Sequence, residues 1–105
     1  MELQCTVRET ELWCAIDGEL DMAVADQFFR EVTAAIPADC TLIVFDMQKV
    51  PFIDSTGIGK LIRLIMQSQK QAIKCQVIHC HEELAEVMRL MGLFELLKND
   101  RASGA

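Results

Sequence analysis

Residues able to do chemistry gather in a few short stretches. Ser55 and Thr56 carry hydroxyls within Asp54-Ser55-Thr56-Gly57, directly before a long helical pattern. A hydroxyl at the start of a helix is exposed and stands beside backbone N–H groups that have no intrahelical partner. Two readings meet here. In one, Asp54 or Ser55 caps the helix, the commonest use of such residues. In the other, Gly57 and Gly59 mark the close approach of another backbone or of a partner surface, since each costs a helix roughly 0.5–1 kcal/mol relative to Ala. Spacing alone leaves both open.

Sharper motifs fail. Gly57-Ile58-Gly59 is no dinucleotide fingerprint, because Ile62 stands in place of the third glycine, and Gly59-Lys60-Leu61 lacks the Ser or Thr and the upstream glycine of a phosphate loop. A hydrolase nucleophile elbow at Ser55 would need glycine where Ile53 stands. Asp46 ends an apolar strand, as a receiver-type phosphoacceptor would. Asp17 and Asp21 are available acids, yet no lysine follows the strand ending at Cys80. Cys75, His79 and His81 fall on one face of that strand, but three ligands from a single strand give poor tetrahedral geometry. The expectation is of no metal and no cofactor, and each catalytic motif is a weak signal.

The elements that position these residues follow from hydrophobic period. Leu3 to Arg8 and Glu11 to Ile16 read as strands about Glu9-Thr10, with Val7, Leu12, Cys14 and Ile16 inward. Asp21 stands as N-cap of a helix carrying Ala25, Phe28, Phe29, Val32 and Ile36, which Pro37 ends. Thr41 to Phe45 is a continuous apolar strand, followed by a connection from Met47 to Ile53. The helix after Asp54 shows Ile58, Leu61, Ile62, Ile65 and Met66 on one face, with Lys60, Arg63, Gln67 and Lys70 on the other. Lys74 to Cys80 is the last strand. Glu82-Glu83 opens a helix with Leu84, Val87, Met88 and Met91 on its apolar face. Gly92 stops it, and Leu93 to Leu97 forms a final apolar turn or short helix. The order β-β-α-β-α-β-α-α predicts an α/β fold, a single domain over residues 1–98 with a small, mostly parallel mixed sheet and one N-terminal antiparallel strand. Residues 99–105 are expected to fray as a flexible C-terminal tail.

Composition bounds the function. The 105 residues suffice for one domain but leave little to wall in a deep substrate pocket. Hydrophobic residues at 51% and charged residues at 25% exclude disorder. Ten Lys+Arg against 16 Asp+Glu, a net charge of −6, argue against nucleic acid and anionic membrane as partners. The chain shows neither a signal-like start nor an apolar run of the roughly 20 residues that span a bilayer. Five cysteines, with no Cys-x-x-Cys pair, suit a reducing cytosol, and a cytoplasmic location is expected.

Gly18-Glu19-Leu20-Asp21, the strand ending in Asp46, Phe52-Ile53-Asp54-Ser55-Thr56-Gly57-Ile58-Gly59 and Leu90-Met91-Gly92-Leu93-Phe94 together resemble a STAS domain. More narrowly, they resemble the anti-sigma factor antagonists of bacterial partner-switching systems, over residues 3 to 97. The resemblance implies helices packed mainly on one face of the sheet and no catalysis by this chain. It implies that the unphosphorylated form binds an anti-sigma factor with serine kinase activity and so frees a sigma factor. Phosphorylation by that kinase with Mg-ATP ends the binding, and a serine phosphatase resets the cycle. Mapped onto this sequence, Ser55 is the phosphoacceptor, Asp54, Thr56 and Gly57 are its partner-binding neighbours, and Asp21 is a contact on the adjacent loop. Two stretches depart from the family's pattern. Lys70-Gln71-Ala72-Ile73 stands where a glycine turn is common, and His79-Cys80-His81 replaces an Asn-Pro-like exit.

Two other functions fit the residues. One is a STAS scaffold or adaptor in a signalling or lipid-transport assembly, whose serine need not be modified. The other is a small serine hydrolase using Ser55 with His79 or His81 as base. A homodimer through exposed Leu93 and Phe94 is a further expectation, with a core contact as the equal alternative.

Overall fold

The computed structural model describes residues 1–98; the tail expected over 99–105 lies outside the described residues. Strands β1 (Glu2–Arg8) and β2 (Glu11–Asp17) pair antiparallel about the turn at Glu9-Thr10. Next come α1 (Ala25–Ala35), β3 (Leu42–Lys49), α2 (Ser55–Lys70), β4 (Lys74–Ile78), α3 (Glu82–Leu90) and α4 (Leu93–Lys98). The four strands form one sheet in the order β1-β2-β3-β4, with β2, β3 and β4 parallel.

That order explains the layering. A crossover between parallel strands is right-handed, so stepping from β2 to β3 to β4 without reversal lays α1 and α2 on the same face. There, Leu12, Cys14 and Ile16 of β2 and Ile43, Phe45 and Met47 of β3 are buried with Phe28 and Val32 of α1 and with Ile58, Leu61 and Ile65 of α2. The rings of Phe28 and Phe45 meet at a tilt with centroids 6.3 Å apart, a favourable aromatic geometry. Val44 is buried but lies outside this cluster, in register with Trp13 and Gln76 on the opposite face.

Several expectations are corrected. Val7 is 53% exposed, because β1 is an edge strand and its end runs past the helical cover. Asp21 does not cap α1. The N-cap is Val24, and Asp21 instead organises the preceding turn, its side chain accepting from the Ala23 N–H at 3.0 Å. Strand β3 continues to Lys49, so Met47 is buried within the sheet instead of opening a connection. Strand β4 stops at Ile78, since His79 takes a left-handed backbone with φ 60°. On α2 the inward face holds Leu64 and Ser68, whereas Met66 is 47% exposed; Ser68 satisfies its hydroxyl by donating to the Leu64 carbonyl at 2.7 Å. On α3, Leu84 and Met88 point inward while Val87 and Met91 are exposed. Leu93 is fully buried and Phe94 half-buried, which removes the surface invoked for a dimer there.

The end of α2 shows how the missing glycine turn is managed. Ile73 N–H donates to the Ser68 carbonyl at 2.9 Å and Ala72 N–H to the Gln69 carbonyl at 3.1 Å, the paired bonds of a Schellman cap. Ala72 therefore sits where glycine is preferred, at φ 62°, and buried Ile73 supplies the hydrophobic anchor beyond it. Relief of the left-handed strain in Ala72→Gly outweighs the greater freedom of glycine in the unfolded chain. Urea unfolding of Ala72→Gly is expected to show a gain of about 0.5–1 kcal/mol.

Candidate functional site

The parallel ladder between β2 and β3 does not stop where the strands end. Gly18 N–H donates to the Lys49 carbonyl at 2.9 Å, Leu20 N–H to the Phe52 carbonyl at 3.0 Å, and Asp54 N–H to the Leu20 carbonyl at 3.3 Å. Leu20 and Ile53 form an isolated parallel bridge, and both side chains are buried. The loops leaving the two strands are thus fastened together at the carboxyl end of the sheet, where open α/β sheets meet ligands and partners.

Asp54 completes the fastening. Its backbone is extended, which directs its side chain over the first turn of α2, where one carboxylate oxygen accepts from the Gly57 N–H at 2.8 Å. The other oxygen accepts from the Met22 N–H at 2.9 Å, across to the loop before α1. These bonds, that from Gly57 foremost, favour the ionised form and hold the Asp54 carboxyl below the ordinary carboxylate range against the opposing pull of desolvation.

The cap is therefore Asp54, and the Ser55 hydroxyl is not consumed in that role. Ser55 is the first residue of α2, and both it and Thr56 are exposed. Around them lie half-buried Asp21 and two exposed apolar side chains, Met22 at 75% and Phe52 at 51%. Phe52 opens the stretch that carries the family resemblance, which gives it no role of its own, and no motif singles out Met22. Met22 falls outside the period of α1, and Phe52 sits in the apolar run Val50-Pro51-Phe52-Ile53, where nothing marks it as the exposed member. One helical turn further, Lys60 pairs with Asp26 at 3.0 Å, and its hydrogen bond and charge hold the Asp26 carboxyl below the usual range. Lys60 and Arg63 both lie over the Phe29 ring, 5.3 and 5.4 Å from its centroid.

The two glycines have different reasons. A β-carbon on Gly57 would overlap the Leu20 carbonyl oxygen and press on Ile53, so this glycine lets α2 seat against the loop from β2. A β-carbon on Gly59 would meet nothing within 4 Å, so packing among the described residues gives no reason for a glycine there.

The remaining candidates lie apart from Ser55. Asp46 accepts from the Gln48 N–H at 3.0 Å and pairs with His79 Nδ1 at 3.0 Å. His81 Nδ1 accepts from the Leu84 N–H at 3.3 Å and so caps α3. Because β4 ends at Ile78, Cys75, His79 and His81 do not share the face of one strand. Among the described residues neither histidine hydrogen-bonds Ser55, so the nucleophile–base contact of a hydrolase is not assembled.

The family model of the STAS domain matches residues 2–103. Among solved structures, the anti-sigma factor antagonist SpoIIAA in its unphosphorylated form is 20% identical, with 85% of this chain and 83% of that one covered at a TM-score of 0.71. The Bacillus cell fate determinant SpoIIAA in the phosphorylated form gives 20% identity, 90% and 87% coverage and a TM-score of 0.69. A serine-to-glutamate variant of RsbS from Moorella thermoacetica gives 19%, 89% and 80%, and 0.75. A sulfate transporter family protein from Wolinella succinogenes gives 23%, 88% and 75%, and 0.76. At these identities the likeness is one of fold.

Two measurements check the geometry. In denaturant unfolding, Gly57→Ala is expected to destabilise by about 1–3 kcal/mol through overpacking, whereas Gly59→Ala should stabilise by about 0.5–1 kcal/mol. The depressed Asp54 carboxyl contributes stability above the ordinary carboxyl pKa of about 3.9, and that contribution is lost as pH falls through the lower folded value. Wild type should accordingly exceed Asp54→Ala in thermal midpoint most at neutral pH, the gap narrowing on acidification.

Proposed function

This chain belongs to the STAS domain family, and from that premise we propose that it is an anti-sigma factor antagonist switched by phosphorylation of Ser55. The observation that carries this reading is the free Ser55 hydroxyl on a surface built by two fastened loops, with its neighbour Asp54 already committed as the helix cap. Exposed Met22 and Phe52 supply apolar contact area beside it, with Asp21, Asp54 and Thr56 in the same surface, whereas Gly57 is buried beneath it against Leu20 and acts by seating the helix. Gly59 adds a bare stretch of helix against which a partner's backbone can close.

In this reading the chain performs no catalysis. It works in the cytoplasm and binds an anti-sigma factor that is itself a serine kinase, and a serine phosphatase returns it to the binding state. Phosphorylation adds about −1.5 to −2 charge and three strong acceptors. Within the chain the helix N-terminus favours that charge by roughly 0.3–1 kcal/mol at an exposed site, while Asp54 opposes it, so the fold changes little. At the docked surface the same dianion is desolvated beside Asp54 and Asp21. A penalty of about 2.8 kcal/mol there weakens binding roughly a hundredfold. The structures of SpoIIAA in an unphosphorylated and a phosphorylated form support a two-state cycle for that relative.

The fold is shared with the sulfate transporter family protein, which favours a second reading as a non-switching scaffold or adaptor module. Incubation with candidate anti-sigma serine kinases from the same organism and Mg-ATP separates the two. A single phosphate on Ser55, absent in Ser55→Ala, supports the switch. No phosphate from a kinase active on another substrate supports the scaffold. Under the switch, calorimetric titration should show Ser55→Asp losing about a hundredfold in affinity for the kinase, and Gly59→Ala losing affinity while gaining stability.

A further inference from the structure

We propose that this chain forms a two-fold dimer in which β1 pairs, antiparallel about Cys5, with β1 of a second copy. The proposal is independent of the role of Ser55.

The argument begins at the hairpin. Arg8 and Glu11 flank a two-residue turn and so exchange both backbone hydrogen bonds. Antiparallel alternation then commits Thr6, Gln4 and Glu2 to β2 and turns the N–H and C=O groups of Leu3, Cys5 and Val7 away from it. Among the described residues none of these outward groups has a backbone partner. Such an edge is a template for another strand unless it is short, bulged, or guarded by Lys or Pro. Strand β1 is 7 residues long, keeps an unbroken register with β2, and contains neither Lys nor Pro. The opposite edge, β4, has 5 residues and begins with Lys74.

The sequence of β1 is complementary to itself when reversed. Pairing about Cys5 sets Leu3 opposite Val7, Gln4 opposite Thr6 and Cys5 opposite Cys5, with Glu2 opposite Arg8 at each end. Leu3, Cys5 and Val7 would then exchange all their outward backbone groups. On the helix-covered face, Leu3 of one copy covers Val7 of the other, the residue that the single chain leaves 53% exposed. On the open face each Glu2 meets an Arg8, so opposite charges close both ends of the seam. Sliding the second copy by two residues keeps outward groups facing, but opposes Glu2 to Thr6 or Arg8 to Gln4 and loses both ion pairs. The matched register is therefore also the selected one.

Sedimentation equilibrium of the full chain over a range of concentrations tests this. A dimer is expected, and a chain monomeric up to about 1 mM, the weak end of measurable affinity, overturns the proposal. Arg8→Glu and Glu2→Arg should each raise the dimer dissociation constant roughly tenfold, since each sets like charges at both ends. The double variant Glu2→Arg/Arg8→Glu should restore it. A dimer indifferent to the single reversals, or not rescued by the swap, places the interface elsewhere and refutes the pairing. Amide exchange at Leu3, Cys5 and Val7 should also slow as concentration rises; unchanged rates there count equally against it.

Discussion

The backbone carbonyl of Leu20 is the point on which the functional end of this molecule turns. It accepts from the Asp54 N–H and occupies the space that a side chain at residue 57 would need. The start of α2 is thereby held against the exit of β2 by main-chain atoms, and nothing larger than glycine fits between them. Because α2 packs with α1, β4 and α4, its placement governs the helical layer as well as the position of Ser55. Asp54 adds a second tie at the same place through its carboxylate. The surface around Ser55 is thus a product of close main-chain packing, and Ser55 rides on the turn of the helix that those contacts fix.

Much of this is legible in the residues. The alternation of Leu12, Cys14 and Ile16, the apolar run at β3 and the helical period after Asp54 specify the elements and their order, and consecutive parallel strands then dictate a single helical layer. Asp54 before Ser55 marks the helix start. What cannot be read is which groups compete for one role. Asp21 has the residue type of a cap, yet its side chain is used in the turn before the helix. Met66 matches the apolar period as well as Leu64 does, yet Leu64 is buried and Met66 exposed. His79 stands in a strand-like run, but its left-handed backbone ends the ladder. The partition between Gly57, required by Leu20, and Gly59, required by nothing within the fold, depends on a neighbour far away in the chain.

The single helical layer has a cost on the other side of the sheet. With α1 and α2 on one face, the opposite face must be acceptable to water, and it carries Gln4, Thr6, Asp46 and Gln76 among its residues. Trp13 is the largest apolar side chain there and is held by its neighbours: Arg8 stacks 4.6 Å from its ring and Glu11 accepts its indole N–H at 3.0 Å. Beside Val44 these groups form a small, partly shielded patch. Between Gln4, Ala15, Asp46 and Lys49 a shallow groove of about 300 Å³ remains. Free thiols complete the chemistry of the fold: burial pushes that of Cys14 far up, which keeps it protonated and unreactive among apolar side chains.

The fastening of two loops also ties the surface to the completed fold. The β1–β2 hairpin is local and can close within about 1–10 μs, but the bond from Met22 to Asp54 joins residues 32 positions apart and needs an intervening helix and strand in place first. A chain in which this bond is not made displays the serine without the geometry around it. Under the proposed switch, a partner that reads this surface is reading the folded chain, so a chain in which the two loops are apart does not compete for it.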